Sequence, residues 1–402
     1  VNKKLSVTAA DVRGKRVLVR VDFNVPLGPD GGVADATRLR ASIPTIRYLI
    51  EHDSKIILCS HLGRPDGKVV PELSLRPVAA RLQDLLGDPV AFVAECVGPN
   101  AGQAVAELSE GGVLLLENLR FHPEEEANDA GFARQLVGLA DVYVDDAFGT
   151  AHRAHASTEG VTHYLPSYAG LLMERELEFL GRALGTAERP YAAVIGGAKI
   201  SGKLQVLQNL VQRVDWLLIG GGMANTFLKA NGVEIGDSLV EDGLVDTARE
   251  VMQAAERANV KLLLPVDAVV AEQVTIDSEC TVVDLATEKV AAGSKILDIG
   301  PQTLKRFGDA LEDCRTIFWN GPMGVFEMPP FATGTLELAQ RIADLDAVSI
   351  VGGGDTDAAI EKAGVQDKIT HISTGGGASL EFIEGKTLPG VAALQDAPAA
   401  QD

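Results

Sequence analysis

Short apolar runs recur along this chain, each ending in a polar or glycine-rich cluster, and this pattern limits the fold more than any other feature. In the first half the runs are RVLVRVDFN (16–24), KIILCSHLGR (55–64), VLLLENLRF (113–121) and DVYVDDAFG (141–149). In the second half they are AAVIGGAK (192–199), WLLIGGG (216–222), KLLLPVD (261–267), TIFWNGP (316–322) and VSIVGGGDT (348–356), with a weaker ITHISTGGG (369–377). Between them lie stretches with apolar residues at three- and four-residue spacing, such as LRPVAARLQDLL (75–86) and LVDTAREVMQAAERANV (244–260). Strand-length runs alternating with amphipathic helices build βαβ units, and so parallel sheets covered on both faces. The expected class is α/β, with strands enough for two doubly wound, Rossmann-like lobes. Aromatics at 5% leave a core of Val, Leu, Ile and Ala, as strands buried on both faces require.

At 402 residues the chain exceeds one ordinary core. The stretch LPSYAGLLMERELEFLGRALGTAERP carries a helical pattern (Leu172, Glu176, Phe179, Leu180, Leu184) with Gly185 and Pro190 behind it. A helix with stop signals between two βα arrays is the expected connector, near 165–190. The lobes then span 1–170 and 171–388, with residues 389–402 returning to the first. The small, polar end QDAPAAQD (395–402) is expected to be poorly ordered.

Basic residues number 36 against 56 acidic ones, a formal net charge of −20, which disfavours nucleic acid and anionic membranes as partners. Cys59, Cys96, Cys280 and Cys314 are scattered without C-x-x-C spacing, which argues against a disulfide framework or a zinc site. VNKKLSV has no apolar core of an export signal, and no run reaches the length of a membrane span. A reducing cytoplasm is the expected setting.

Ligands of open α/β sheets bind beyond the carboxyl ends of the strands. In the first half those ends carry Asp22, Asn24, His61, Arg64 and Arg120, then His152, Arg153 and His155. In the second they carry Gly196, Gly197, Lys199, Lys203, the triplets Gly220 to Gly222, Gly352 to Gly354 and Gly375 to Gly377, and Asp355. Guanidinium forks suit carboxylates and phosphates, and glycine turns at helix starts bring backbone N–H groups to phosphates. Two lobes suited to different anions imply two anionic ligands. Taken singly, an Arg in such a loop is as often a surface residue, a glycine triplet can serve a tight turn, and Asp355 can be a helix cap. Each G-x-G lacks the third glycine of a dinucleotide fold, with Asn225, Asp357 and Leu380 in its place, which weakens a hydride-transfer reading. A non-catalytic anion-capture protein is the other alternative; it has no use for paired lysines beside Asp355.

IGGAKISGK (195–203) satisfies G-x-x-x-x-G-K, yet Leu204 stands where a P-loop needs a hydroxyl for magnesium. Its wider setting is more specific. VDFNVP (21–26), SHLGRP (60–65), ENLRFHPEEE (117–126), DAFGTAHRAHAS (146–157), IGGAKISGK, GGGMANTF (220–227), WNGPMGVFE (319–327), GGGDT (352–356) and STGGGASLE (373–381) resemble phosphoglycerate kinases, in that family's order and over nearly the whole chain. The resemblance implies two lobes that close around their ligands, and reversible magnesium-dependent phosphoryl transfer between 1,3-bisphosphoglycerate with ADP and 3-phosphoglycerate with ATP.

By the same resemblance, 3-phosphoglycerate would meet Asp22, Phe23, Asn24, Arg38, His61, Leu62, Gly63, Arg64, Arg120 and Arg153. The nucleotide would meet Lys203, Gly220, Gly221, Gly222, Asn320, Glu327, Gly353, Gly354, Asp355 and Thr356, with Asp355 the magnesium contact. Arg38, Lys199 and the helix start at Gly375, Gly376 and Gly377 would face the phosphoryl in flight. Read without the resemblance, Arg38 is an ordinary helix arginine. Two positions depart from the family's pattern: Gly202 stands where many members have Asp, and Ile296 where relatives can have a nucleotide-contacting glycine. The resemblance requires no general base, because the substrate carboxylate and the terminal oxygen of ADP are already ionised. Positioning and charge stabilisation then carry the rate.

Overall fold

Every apolar run named above forms a strand, and each strand stops where its glycine or polar cluster begins. The computed structural model describes residues 3–398. Those residues divide into two units, one running to Glu178 and resuming at Thr387, the other Phe179–Lys386.

In the first unit the strands are β1 (Arg16–Arg20), β2 (Lys55–Cys59), β3 (Val90–Val93), β4 (Val113–Leu116), β5 (Val142–Asp145) and β6 (Ser167–Ala169). They form one parallel sheet in the order β3-β4-β2-β1-β5-β6. From β1 the chain lays β2, β3 and β4 on one side and then crosses to lay β5 and β6 on the other, so the crevice of such a sheet opens beyond β1 and β5, between 21–24 and 146–155. Leu18 and Val19 are fully buried, as a central strand covered on both faces must be. The helix read from LRPVAARLQDLL spans Arg76–Leu86, has Pro77 in its first turn and ends at Gly87 with φ 76°.

The second unit continues with β7 (Tyr191–Ile195), β8 (Trp216–Ile219), β9 (Lys261–Leu263), β10 (Asp267–Ala271), β11 (Thr281–Asp284), β12 (Lys295–Ile299), β13 (Thr316–Asn320), β14 (Val348–Val351) and β15 (His371–Ile372). Its parallel sheet runs β15-β14-β13-β7-β8-β9, with the switch between β7 and β13. The loops after those two strands, 196–203 and 321–327, therefore flank its crevice.

One feature departs from the parallel expectation. β11-β10-β12 form a separate antiparallel sheet with its own core of Ala268, Val270, Val283, Leu285 and Val290, joined by Leu228 and Ile235. β11 buries Val283 and exposes Val282, so it is half-buried and alternating. Such a strand lacks the continuous apolar run that marks the others.

The connector stretch is helical over Leu171–Gly181 and continues as a wider turn over Arg182–Thr186. Two side chains of the first unit anchor its start: Thr45 Oγ1 accepts from Leu171 N (2.9 Å) and Asp146 Oδ1 from Leu172 N (2.9 Å). Residues 387 onward belong to the first unit: Gly390 N donates to Ala151 O (2.9 Å) and Ala397 N to Lys3 O (2.7 Å). Lys4 Nζ binds Asp396 Oδ1 at 2.7 Å. The expectation of a loose end thus fails for 395–398, whose backbone is bonded; 399–402 lie outside the described residues, as do residues 1 and 2 of VNKKLSV. No described helix is long and apolar enough to cross a membrane. All four cysteines are free, and only Cys280 is exposed. Burial pushes the Cys59 thiol up to about 12 and that of Cys314 to about 11.

Candidate functional site

On the first unit the strand ends gather a basic face. Asn24 and Gly63 tie the loops after β1 and β2 together, Gly63 N donating to Asn24 Oδ1 at 2.9 Å. Arg38, in the first turn of the helix Thr37–Glu51, donates through Nη1 to Asp22 Oδ2 and to Asn24 O, both at 3.0 Å. The acidic Asp22 is therefore the strut that aims Arg38. Arg120 is 5% exposed, donates to Gly63 O (3.0 Å), and its Nε lies 3.3 Å from Glu126 Oε1. Arg64 is exposed; Arg153 is half-buried, its Nε 3.2 Å from His152 Nε2. Burial and then the surrounding arginines hold His61 well below the ordinary histidine range, and the same causes push His155 down to about 4.

Phe23 and Leu62 are placed differently from the rest. Both side chains lie in the core, and their N–H groups go to Ser60 Oγ (2.9 Å) and Asn118 Oδ1 (3.2 Å). Neither side chain is free to touch a ligand.

On the second unit, Lys203 ends the loop after β7 and is pinned. Its Nζ donates to Gly196 O (2.8 Å) and Asn320 O (3.0 Å), bridging the loops after β7 and β13. Burial lowers it to about 8, against the opposing pull of Asp355. Gly202 has open space around its α-carbon, and the helix Leu204–Leu210 has no side-chain cap. The residue at 202 thus has no part in holding Lys203. Lys199 and Asp355 are exposed. Asp355 is not a cap: Gly353 occupies that position before the helix Gly354–Ala363, and Asp355 lies in its first turn. Thr356 and Asn320 face inward: Thr356 Oγ1 accepts from Gly321 N (2.7 Å), and Asn320 Nδ2 donates to Gly352 O (2.6 Å). Glu327 is exposed.

The glycines separate into two kinds. A Cβ at Gly196 would lie 2.2 Å from Pro322 O, one at Gly220 2.4 Å from Met323 Sδ, and one at Gly221 2.6 Å from Gly197 N. Gly196 and Gly221 let the loops after β7, β8 and β13 touch backbone to backbone, and Gly220 makes room for the Met323 side chain, a packing role distinct from anion binding. Gly354, Gly376 and Gly377 have nothing within 4 Å of a Cβ, so the space in front of them is free.

The chain matches the phosphoglycerate kinase family model over residues 7–386. It is 59% identical to the phosphoglycerate kinase of Moorella thermoacetica over 393 residues, 98% of this chain and 99% of that one. It is 56% identical to that of Chloroflexus aurantiacus over 401 residues, 98% and 100%. The chain belongs to the phosphoglycerate kinase family. Among solved structures, phosphoglycerate kinase from Coxiella burnetii superposes with TM-score 0.89 at 41% identity, covering 97% of this chain and 98% of that one. The enzyme from Pyrococcus horikoshii gives 0.84 at 36%, with the same coverage.

Three further residues lie at these faces. Arg20 is fully buried on β1, with Nη2 3.1 Å from His61 Nδ1. Met323 fills the junction between Gly196 and Gly220. Leu239 is 48% exposed and lies beside Gly222, an apolar surface next to the loop after β8. A lone Leu in a loop gives no sequence signal of that kind. Ile296 sits on β12 with its N–H given to Ser238 Oγ (2.8 Å).

The metal implied by the family meets a sparse donor set. Among the described residues no group of three or more His, Cys, Asp or Glu could hold a metal ion. One exposed carboxylate, Asp355, beside a helix start suits magnesium, which keeps several waters and takes most ligands from substrate phosphates.

Proposed function

We infer that this chain catalyses the glycolytic transfer of a phosphoryl group between the acyl phosphate of 1,3-bisphosphoglycerate and ADP, reversibly, giving 3-phosphoglycerate and ATP. The observation that carries this reading is the family match over 7–386, with every motif at a strand end. The first unit takes 3-phosphoglycerate: Asp22, Asn24 and Gly63 frame it, His61, Arg64, Arg120 and Arg153 hold its phosphate, and Arg38 lies by its carboxylate. The second takes the nucleotide: Lys203, Gly222, Asn320, Glu327 and the turn Gly353 to Thr356 line its course, and Leu239 supports the base. Asp355 would hold magnesium, which would offset phosphate charge.

The chemistry needs no base, so the residues' work is to position and to compensate charge. Arg38 has a fixed aim because Asp22 and Asn24 O hold the same Nη1. Lys199 is free to follow the phosphoryl, whereas Lys203 is held by carbonyls until a phosphate competes for it. The amides at Gly375, Gly376 and Gly377 receive the transferring oxygens. Transfer requires the two half-sites to meet and exclude water, with the connector helix as hinge. A cytoplasmic, monomeric enzyme completes the reading.

The test is a coupled assay of ATP-dependent 3-phosphoglycerate consumption, with and without magnesium, on a chain whose mass in solution is measured alongside. Turnover that depends on both substrates and the metal is expected. No turnover, or turnover indifferent to 3-phosphoglycerate, overturns it.

A further inference from the structure

Arg20 is fully buried, and each arm of its guanidinium has a partner. Nε donates to Ser157 Oγ (2.8 Å), Nη1 to Val21 O, and Nη2 meets His61 Nδ1 at 3.1 Å. Ser157 passes the interaction on: its Oγ donates to Glu125 Oε1 (2.5 Å) and its N–H to Glu125 Oε2 (2.9 Å). Glu125 is also fully buried and is the countercharge that makes a buried guanidinium tolerable.

The contact with His61 has a chemical consequence. A guanidinium has five N–H donors and no acceptor. His61 Nδ1 must therefore present its lone pair to Arg20, which leaves the ring hydrogen on Nε2. Protonating Nδ1 would set two N–H groups against each other. It would also add a cation among Arg20 on β1, Arg38 on the helix 37–51, Arg120 after β4 and His155 after β5.

We propose that Arg20 is a positioning residue for phosphoryl transfer: it locks His61 as a neutral ring whose Nε2–H is offered to the phosphate of 3-phosphoglycerate. This rests on the assignment of His61 to that substrate. On this face the arginines supply the charge and His61 supplies a directional, charge-free donor. Burial, with this contact beside it, keeps the donor charge-free where an exposed histidine would switch.

The tautomer is read on the unmodified, 15N-labelled chain by long-range 1H–15N correlation of the histidine rings. Nδ1 bare and Nε2 protonated, unchanged from about pH 5.5 to about pH 7.5, is expected. An imidazolium, or a hydrogen on Nδ1, in that range overturns the proposal. Adding 3-phosphoglycerate should shift the His61 Nε2 resonance. If the tautomer is as stated but the substrate leaves it unmoved, the assignment of His61 falls and the positioning role with it. Two substitutions add a kinetic readout. His61→Gln can place an amide N–H where Nε2 lies, and His61→Asn only where Nδ1 lies. The KM for 3-phosphoglycerate should be about tenfold lower in His61→Gln than in His61→Asn, the worth of one hydrogen bond to a charged group, with the nucleotide KM equal in both. Equal KM values for 3-phosphoglycerate overturn it. In Arg20→Met, provided its circular dichroism matches the parent, a form with the hydrogen on Nδ1 should appear beside the Nε2–H form; a ring that stays wholly in the Nε2–H form overturns the role of Arg20.

Discussion

Two glycines in equivalent sequence settings should fail in opposite ways when given one methyl group. In Gly196→Ala the new Cβ falls 2.2 Å from Pro322 O, 2.4 Å from Met323 Cε and 2.6 Å from Gly321 O. Two of the three are backbone oxygens held in the loop between β13 and the following turn, so the strain cannot be relieved by a rotamer change. Overpacking of this kind costs about 1–3 kcal/mol, and the backbone partners put Gly196 near the upper figure. A unit of this size loses about 2–4 °C of melting temperature per kcal/mol, so a fall of about 6–12 °C is expected. Gly377 is the control. Nothing lies within 4 Å of its Cβ, it opens the helix Gly377–Ile383, and its φ is not left-handed. Gly377→Ala should therefore melt with the parent or slightly above it, by the roughly 0.4–1 kcal/mol that Ala gains through the unfolded chain. Its kcat should fall by about 100-fold, as when one aimed donor is blocked. Differential scanning calorimetry and the coupled assay on both variants decide the matter. If Gly196→Ala melts with the parent, or Gly377→Ala turns over normally, the division of glycines into packing and ligand-facing sets is wrong.

Three further outcomes follow from the same geometry. Arg38→Ala should lower kcat by about 100- to 1,000-fold with smaller changes in either KM, and its partly exposed pair with Asp22 should cost under about 1 kcal/mol of stability; comparable losses in kcat and binding would make Arg38 a binder only. Lys203→Met should destabilise the chain by about 1–3 kcal/mol, because Gly196 O and Asn320 O lose their donor while the burial cost of the amine is relieved, and should raise the nucleotide KM, whereas Lys199→Met should lower turnover with no change in melting; calorimetry and kinetics side by side separate them. Burial pushes the Asp298 carboxyl up to about 7, although Gly334 N and Ile299 N donate to it. The folded state thus keeps a proton that the unfolded chain releases near pH 4. That stability is whole below about pH 4 and lost as pH rises through 7, so Asp298→Asn should flatten the decline in melting temperature between about pH 5 and 8. A parent that grows more stable over that interval, with Asp298→Asn rising in parallel, would refute the sign.

The sheets and the strand-end residues were legible because parallel strands buried on both faces need unbroken apolar runs, and glycine or charge ends each one. β10 to β12 were not, since half-buried antiparallel strands such as β11 dilute their apolar residues with exposed ones like Val282. The basic face was legible as a set of residue types, but Arg38 was not, because only Asp22 and the backbone of Asn24 turn a helix arginine toward the site. Arg20 was invisible for the opposite reason: a charge on a strand reads as exposed, and its countercharge on Glu125 lies more than a hundred positions away. Phe23 and Leu62 sit inside motifs that carry the family resemblance, yet their side chains serve the core. Glycine triplets look alike in sequence, and only the neighbours of each α-carbon tell a spacer from a doorway.

Because Lys4 meets Asp396 and Gly390 rests on Ala151, the first unit is sewn shut by segments made after the entire second unit. On a ribosome adding about 5–20 residues per second, translation of 179–386 imposes a wait of about 10–40 s before that seam can close. The later-made unit can thus reach its finished form while the earlier one is still open.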